Sequence, residues 1–293
     1  VNLIVTVLQV AAPVFLIPAI GFGWVRLGFE YRLEFVTRLA TSLAVPCLVF
    51  TSLMGTTLAP QALSALFFAS VAVFAALSAV AFVIVRLARL EVRSYLLPLI
   101  FGNTGNLGLP LALFAFGEDG LALAVVVFAV GALWQFSFGV WVASGGGSVL
   151  RLVREPLVWA ALLGGLFLSQ GWQTPAWLTQ SLTLLGQMAI PLMLLTLGVA
   201  VARLAPARMG RAAWLSALRA GLGVALAWGV GAAMGLGPMA AGVLILQMTM
   251  PVAVTGYLLA AKYGGDADAV AGMVVASTLM SVITIPVILA FVM

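Results

Sequence analysis

Histidine is absent from this 293-residue chain, and cysteine occurs once, as Cys47. Without His, and with a single thiol, the common zinc and haem ligand sets cannot be assembled and no internal disulfide can form. Charge is scarce as well: Asp, Glu, Lys and Arg together make up 7% of the residues, against roughly 25% in an average soluble domain. All eight carboxylates, Glu30, Glu34, Glu91, Glu118, Asp119, Glu155, Asp266 and Asp268, fall in loops or at the ends of predicted helices. Acid–base or metal catalysis within the apolar segments is therefore excluded, and an enzyme is not expected. Proton pumps and many proton-coupled carriers use an Asp, Glu or His at membrane depth, and none is placed there. No cofactor or metal is expected, and any coupling ion, Na+ or H+, would have to be held by backbone carbonyls and Asn, Gln or Thr oxygens.

What is abundant is apolar: 64% of the residues are hydrophobic. The chain reads as an all-α integral membrane protein. A span takes about 20 apolar residues, which yields ten predicted spans at roughly 3–24, 36–56, 63–85, 94–116, 120–143, 155–171, 176–201, 213–235, 238–261 and 269–292. The first has no basic residue before its apolar run and is too long for a signal h-region, so it is taken as a span. Twelve Arg against one Lys, with much Ala and Gly, suggests a GC-rich bacterial genome, and hence a bacterial inner membrane.

The basic residues sort themselves by loop. Arg26, Arg32 and Arg38 follow span 1; Arg86, Arg89 and Arg93 follow span 3; Arg151 and Arg154 follow span 5. Arg203, Arg208, Arg211 and Arg219 follow span 7, and Lys262 lies between spans 9 and 10, which accounts for all 13. The positive-inside rule then places these connections in the cytoplasm and both termini in the periplasm. The net charge of +5 is an orientation signal, and no nucleic-acid partner is expected. Arg219, slightly inside span 8, is expected to snorkel to the cytoplasmic interface, the alternative being a part in attracting or releasing an anion. Trp24, Trp172 and Trp177, at span ends, suit interface anchoring.

The two halves repeat. Span 2 contains Ala44, Val45, Pro46 and Thr51; span 7 contains Ala189, Ile190, Pro191 and Thr196, 145 positions later. Pro13 and Pro156 are 143 apart, and two glycine- and proline-rich interruptions, at Phe101–Pro110 (FGNTGNLGLP) and Gln247–Gly256 (QMTMPVAVTG), match at about 145 to 147, with Thr104 near Thr249. A duplicated unit of five spans must enter the membrane in opposite directions, giving a 5+5 inverted repeat. The expected organisation is residues 1–144, a cytoplasmic linker at 145–154, and residues 155–293. Chance recurrence of Pro and Thr in apolar helices is the competing reading.

Interrupted spans 4 and 9 are the candidate site. Backbone groups cannot stay unpaired at membrane depth, so such breaks persist where protein, water or ligand satisfies them. Gly105, Gly108, Pro110, Pro251 and Gly256 are read as the breaking residues, with Pro110 and Pro251 each in the first turn of a second half-helix. Two positive helix ends would then face one cavity, suited to a carboxylate. Asn103, Thr104, Asn106, Gln187, Gln247, Thr249, Pro251 and Thr255 are the candidate substrate-binding residues. Gln135, Ser42, Thr51 and Ser52 are weaker candidates, since Ser and Thr often bond back to their own helix. The bland alternative is two kinked, packed helices whose amides satisfy freed carbonyls.

Asn103 and Thr104, then Gly108-Leu-Pro110 and Phe116-Gly117, resemble the fourth span of the auxin efflux carrier family, whose plant members are the PIN proteins. Met250-Pro251, Ala253-Val254, Tyr257, Leu259-Ala260 and Tyr263 to Asp266 resemble the ninth span of its bacterial members. The resemblance covers most of the chain. It implies the bile-acid-symporter-like fold: spans 1, 2, 6 and 7 as a dimerising scaffold, and spans 3–5 and 8–10 as a transport domain that moves in elevator fashion, with broken helices 4 and 9 crossing at the substrate. On that basis Asn103, Thr104 and Pro251 are the crossover residues. It also implies a small organic anion as substrate, malonate-like or auxin-like, carried by a homodimer in the lipid bilayer. A sodium-coupled anion symporter of the bile-acid type and a ligand sensor without flux are the alternatives. Gly102 stands where plant members have Pro, Thr255 where bacterial relatives often have Asn, and the linker is short.

Overall fold

A computed structural model describes residues 3–145, 155–206 and 208–293. The predicted linker, with Arg151 and Arg154, lies outside the described residues except for Gly145, which ends a helix with φ 71°. All the regular elements among the described residues are helices. The elements are α1 (Leu3–Arg26), α2 (Leu33–Gly55), α3 (Pro60–Leu87), α4 (Val92–Ile100), α5 (Thr104–Ser144), α6 (Pro156–Gln170), α7 (Ala176–Arg203), α8 (Met209–Ala233), α9 (Pro238–Thr249), α10 (Val254–Tyr263) and α11 (Ala267–Val292).

Seven of these, α1, α2, α3, α5, α7, α8 and α11, are long and apolar enough to cross a membrane by length and composition, while α6 and α9 are shorter apolar helices. α5 has two arms, because Gly117 takes φ 71° and ψ −160°, a backbone region open in practice only to glycine. Apolar residues cover the outer surface too: Leu16, Ile20, Ile283 and Val287 are all exposed. Helices apolar on every side are expected where the solvent is lipid.

The packing is paired. α1 lies along the second half of α7, and α2 lies along α6 and the first half of α7. If α1 corresponds to α6 and α2 to α7, these two contacts exchange with each other, as a two-fold related repeat requires. The proline offsets gain support from local irregularity. α2 contains a π-helical turn at Ala40–Ala44 just before Pro46, and α7 is interrupted at Met188 just before Pro191. A proline lacks its N–H and crowds the preceding turn, so the helix reroutes there in both places. α8 packs on α9 and α11, and α3 on α4 and α5, a second matching set.

α1 and α7 approach closely, so that a Cβ on Gly198 would collide with the carbonyl of Pro18. Such approach is what lets helices associate where apolar burial gains nothing over lipid. Gly198→Ala is expected to cost about 1–3 kcal/mol through overpacking, read as a lower unfolding temperature in detergent. An unchanged temperature would mean that the two helices are not in contact.

Candidate functional site

The chain leaves helical geometry twice at depth, at 101–103 between α4 and α5 and at 250–253 between α9 and α10. The two stretches meet. Gly102 and Val252 form an antiparallel bridge, with Asn103 N–H donating to Pro251 O at 2.7 Å and Ala253 N–H donating to Phe101 O at 3.2 Å. Ser277 Oγ accepts from Val252 N–H at 2.9 Å. Backbone groups freed by the breaks are thus satisfied largely by each other.

This pairing corrects the register and the breaking residues. An antiparallel pair is symmetric about its centre, so Gly102 corresponds to Val252, 150 positions on, and Thr104 corresponds to Val254 rather than Thr249. Of the five predicted breaking residues only Pro251 lies in a break. Gly105 and Gly108 belong to a π-helical turn, Thr104–Gly108, that opens α5; Pro110 follows it, and Gly256 lies inside α10. The π turn shifts the hydrogen bonding, Leu109 N–H reaching Thr104 O, so Pro110 is accommodated one turn later than expected. Gly105 and Gly108 are required by close approach. A Cβ on Gly105 would lie 2.9 Å from the Phe128 ring, and one on Gly108 would collide with the Gln247 amide.

Both second half-helices begin at the crossing and line one cavity of about 170 Å³. From α5 come Thr104, Gly105 and Asn106, preceded by Asn103; from α10 come Val254 and Thr255. Asn103 Oδ1 caps the turn by accepting from Asn106 N–H at 3.2 Å. Its Nδ2 is buried with no partner, a donor available to a ligand. Gln135 Nε2 donates to Thr255 Oγ1 at 2.7 Å, bringing a weaker sequence candidate into the site. Phe74, Phe101, Phe128 and Met193 supply apolar wall.

The other candidates lie elsewhere. Gln187 is exposed near the interruption of α7 and lines none of the cavities described. The helix rotates it outward and presents Met193 and Thr196, further along, to the site instead. Gln247 is fully buried beside Gly108 with neither amide atom partnered. Thr249 bonds back to Ile245 O at 2.7 Å, and with Pro251 it faces the opposite side of the crossing. Thr51 likewise bonds to Cys47 O, Ser52 Oγ is buried without a partner, and Ser42 is exposed. Sequence reasoning missed Thr37, Thr41, Thr196 and Glu155, all lining the cavity. Glu155, expected outside the apolar segments at the start of a span, does stand at the N-terminal boundary of α6, without a side-chain cap bond. Thr37 and Thr41 are one turn apart on α2, a one-sided polarity that could have signalled them, whereas Thr196 stands on α7. Arg219 does not snorkel: it is 2% exposed, and its Nη1 donates to Met250 O in the second break.

A second, larger cavity of about 1130 Å³ adjoins the first, sharing Thr37, Asn106, Thr196, Val254 and Thr255. Arg32, Arg38 and Arg203 line it, so it opens on the side rich in basic residues. At the other end Thr56 and Thr57 donate to Asp119 at 3.1 and 3.3 Å, tying the end of α2 to the turn within α5.

A family model for membrane transport proteins matches the chain twice, over residues 6–143 and 140–289, one match for each half and each containing one break. An uncharacterized transporter of Methanothermobacter thermautotrophicus strain Delta H is 29% identical over 193 residues, 63% of this chain and 63% of that relative's length.

Gln247 supplies a test of the packing. Replacing a buried, unpartnered amide by an apolar isostere removes a desolvation cost of about 1–3 kcal/mol, so Gln247→Met is expected to raise the unfolding temperature without ligand. A lower temperature would show that the amide has a partner.

Proposed function

From the premise that this chain belongs to the membrane transport protein family, we propose that it is a secondary transporter of a small organic anion, working by alternating access with the anion held where the two breaks cross. Membrane transport is the function that the family carries, and an enzyme reading has no support. The observation that carries the anion reading is the convergence of two helix starts and the unpartnered Asn103 amide on one cavity. Helix starts present free N–H groups and a positive dipole end, which favour a carboxylate. The vestibule beside the cavity, lined by Arg32, Arg38 and Arg203 against Glu34, carries a net positive charge that concentrates anions at its mouth. Malonate-like or auxin-like carboxylates are the substrate class in view.

The rest of the reading follows the two-fold packing. Counting α4 with the first arm of α5 as one crossing, its second arm as another, and α9 with α10 as one, the chain crosses ten times as two inverted repeats, with both termini periplasmic in a bacterial inner membrane. α1, α2, α6 and α7 form the scaffold of a homodimer, and the remaining helices form the transport domain that moves against it. By the positive-inside rule the vestibule is cytoplasmic, so this is an inward-facing arrangement, held at the outer end by Asp119 with Thr56 and Thr57. A sodium-coupled symporter would need oxygen ligands at the crossing, and the Met250 carbonyl is already taken by Arg219.

Counterflow of labelled malonate in proteoliposomes tests the reading. Saturable exchange is expected, and Asn103→Ala, still folded, is expected to lower it at least about tenfold, since removing a hydrogen bond to a charged group costs roughly 1.5–3 kcal/mol. Binding without exchange of malonate or any other small carboxylate would make the protein a sensor. Removing the outer tie with Asp119→Ala is expected to increase labelling of outward-side positions by impermeant reagents; unchanged labelling would mean the tie does not hold the inward-facing state.

A further inference from the structure

Behind the crossing, on the side away from the cavity, a guanidinium is buried with no carboxylate beside it. Arg219 of α8 reaches the second break, where Nη1 donates to the carbonyl of Met250, and Nε has no partner. Its surroundings are hydroxyls and backbone: Ser216, Thr249, Ser277 and Thr284 line the small space around it, with no carboxylate among them. The ion pairs among the described residues are made by Arg32, Arg38 and Arg208, all exposed. An unpaired buried charge is costly, and it persists when something present in the working state compensates it.

Its position identifies the compensating group. Gly102 lies between the guanidinium and the cavity, and a Cβ there would collide with Nη2 and come within 3.0 Å of Met250 O. The same Gly102 lines the cavity. Glycine at 102 therefore brings a full positive charge to one backbone thickness from the bound substrate. It also accounts for the absence of proline there, since any side chain would evict the arginine.

We infer that Arg219 is the charge-selecting residue of the site: a resident cation that makes the crossover prefer dicarboxylates over monocarboxylates. The inference rests on the anion reading above. A fixed charge acts on each unit of substrate charge, so a dianion gains about twice the Coulomb energy of a monoanion. A purely structural role, capping the end of α9, would shift both ligands equally.

The test compares malonate with its monoamide as competitors of labelled malonate uptake in proteoliposomes. The wild type is expected to favour malonate by roughly tenfold or more. Arg219→Gln keeps a donor for the Met250 carbonyl but removes the charge, and is expected to abolish most of that preference through KM, with kcat less affected. Arg219→Lys keeps the charge and is expected to retain the preference within about threefold; if Arg219→Gln does not fold, loss of the preference in folded Arg219→Lys overturns the inference. An undiminished preference in Arg219→Gln, or equal weakening of both ligands, overturns it while leaving the anion carrier intact. A wild type that moves no carboxylate overturns both readings together.

Discussion

Everything at the centre of this molecule depends on two short stretches of backbone that bond largely to each other. Lipid offers no hydrogen-bonding partner, so a helix interrupted at depth is costly unless its freed groups are met. Here Asn103 bonds to Pro251 and Ala253 to Phe101, across the Gly102–Val252 bridge. One break alone would leave these groups unpaired, and two breaks in register satisfy them. The requirement that the interruptions be mutual is a physical reason for the duplication of the chain.

The crossing also divides polarity between its two faces. Toward the cavity it turns helix starts, hydroxyls and the Asn103 amide; behind it sits Arg219 on the carbonyl of Met250. The helix-end dipole is negative where α9 stops, and a cation there is favourable. The helix starts and Arg219 add positive potential to the cavity without a basic side chain entering it, opposed by the Glu155 carboxylate in its lining. Apolar walls from Phe74, Phe101 and Phe128 reduce screening, which strengthens each of these contributions.

Much of the architecture was legible because membranes reward simple patterns. Apolar length located most of the helices, and recurrence of proline pointed to the repeat that the two family matches fit. Asn103, Thr104, Asn106 and Thr255 were readable as cavity residues, since polar side chains beside a glycine-rich interruption have little other reason to be there. What could not be read was rotation and register. Gln187 and Met193 differ by six positions on one helix, and an interruption at Met188 decides which of them faces the site. The offset of 145 from the prolines becomes 150 at the crossing, because backbone pairing, not residue identity, sets the equivalence there. Arg219 was misplaced for a general reason: near a helix end an arginine ordinarily reaches for water, and only the tertiary fold shows a carbonyl within closer reach.

The central claim, that the crossing is a substrate site open to the cytoplasm, is tested most directly at Thr255, which is exposed and lines both cavities. With the single native thiol removed as Cys47→Ser, Thr255→Cys can be labelled by an impermeant maleimide in membrane vesicles of known orientation. The account predicts labelling from the cytoplasmic face that malonate slows severalfold. Labelling from the periplasmic face alone, or a cytoplasmic rate that no small carboxylate changes, would contradict it.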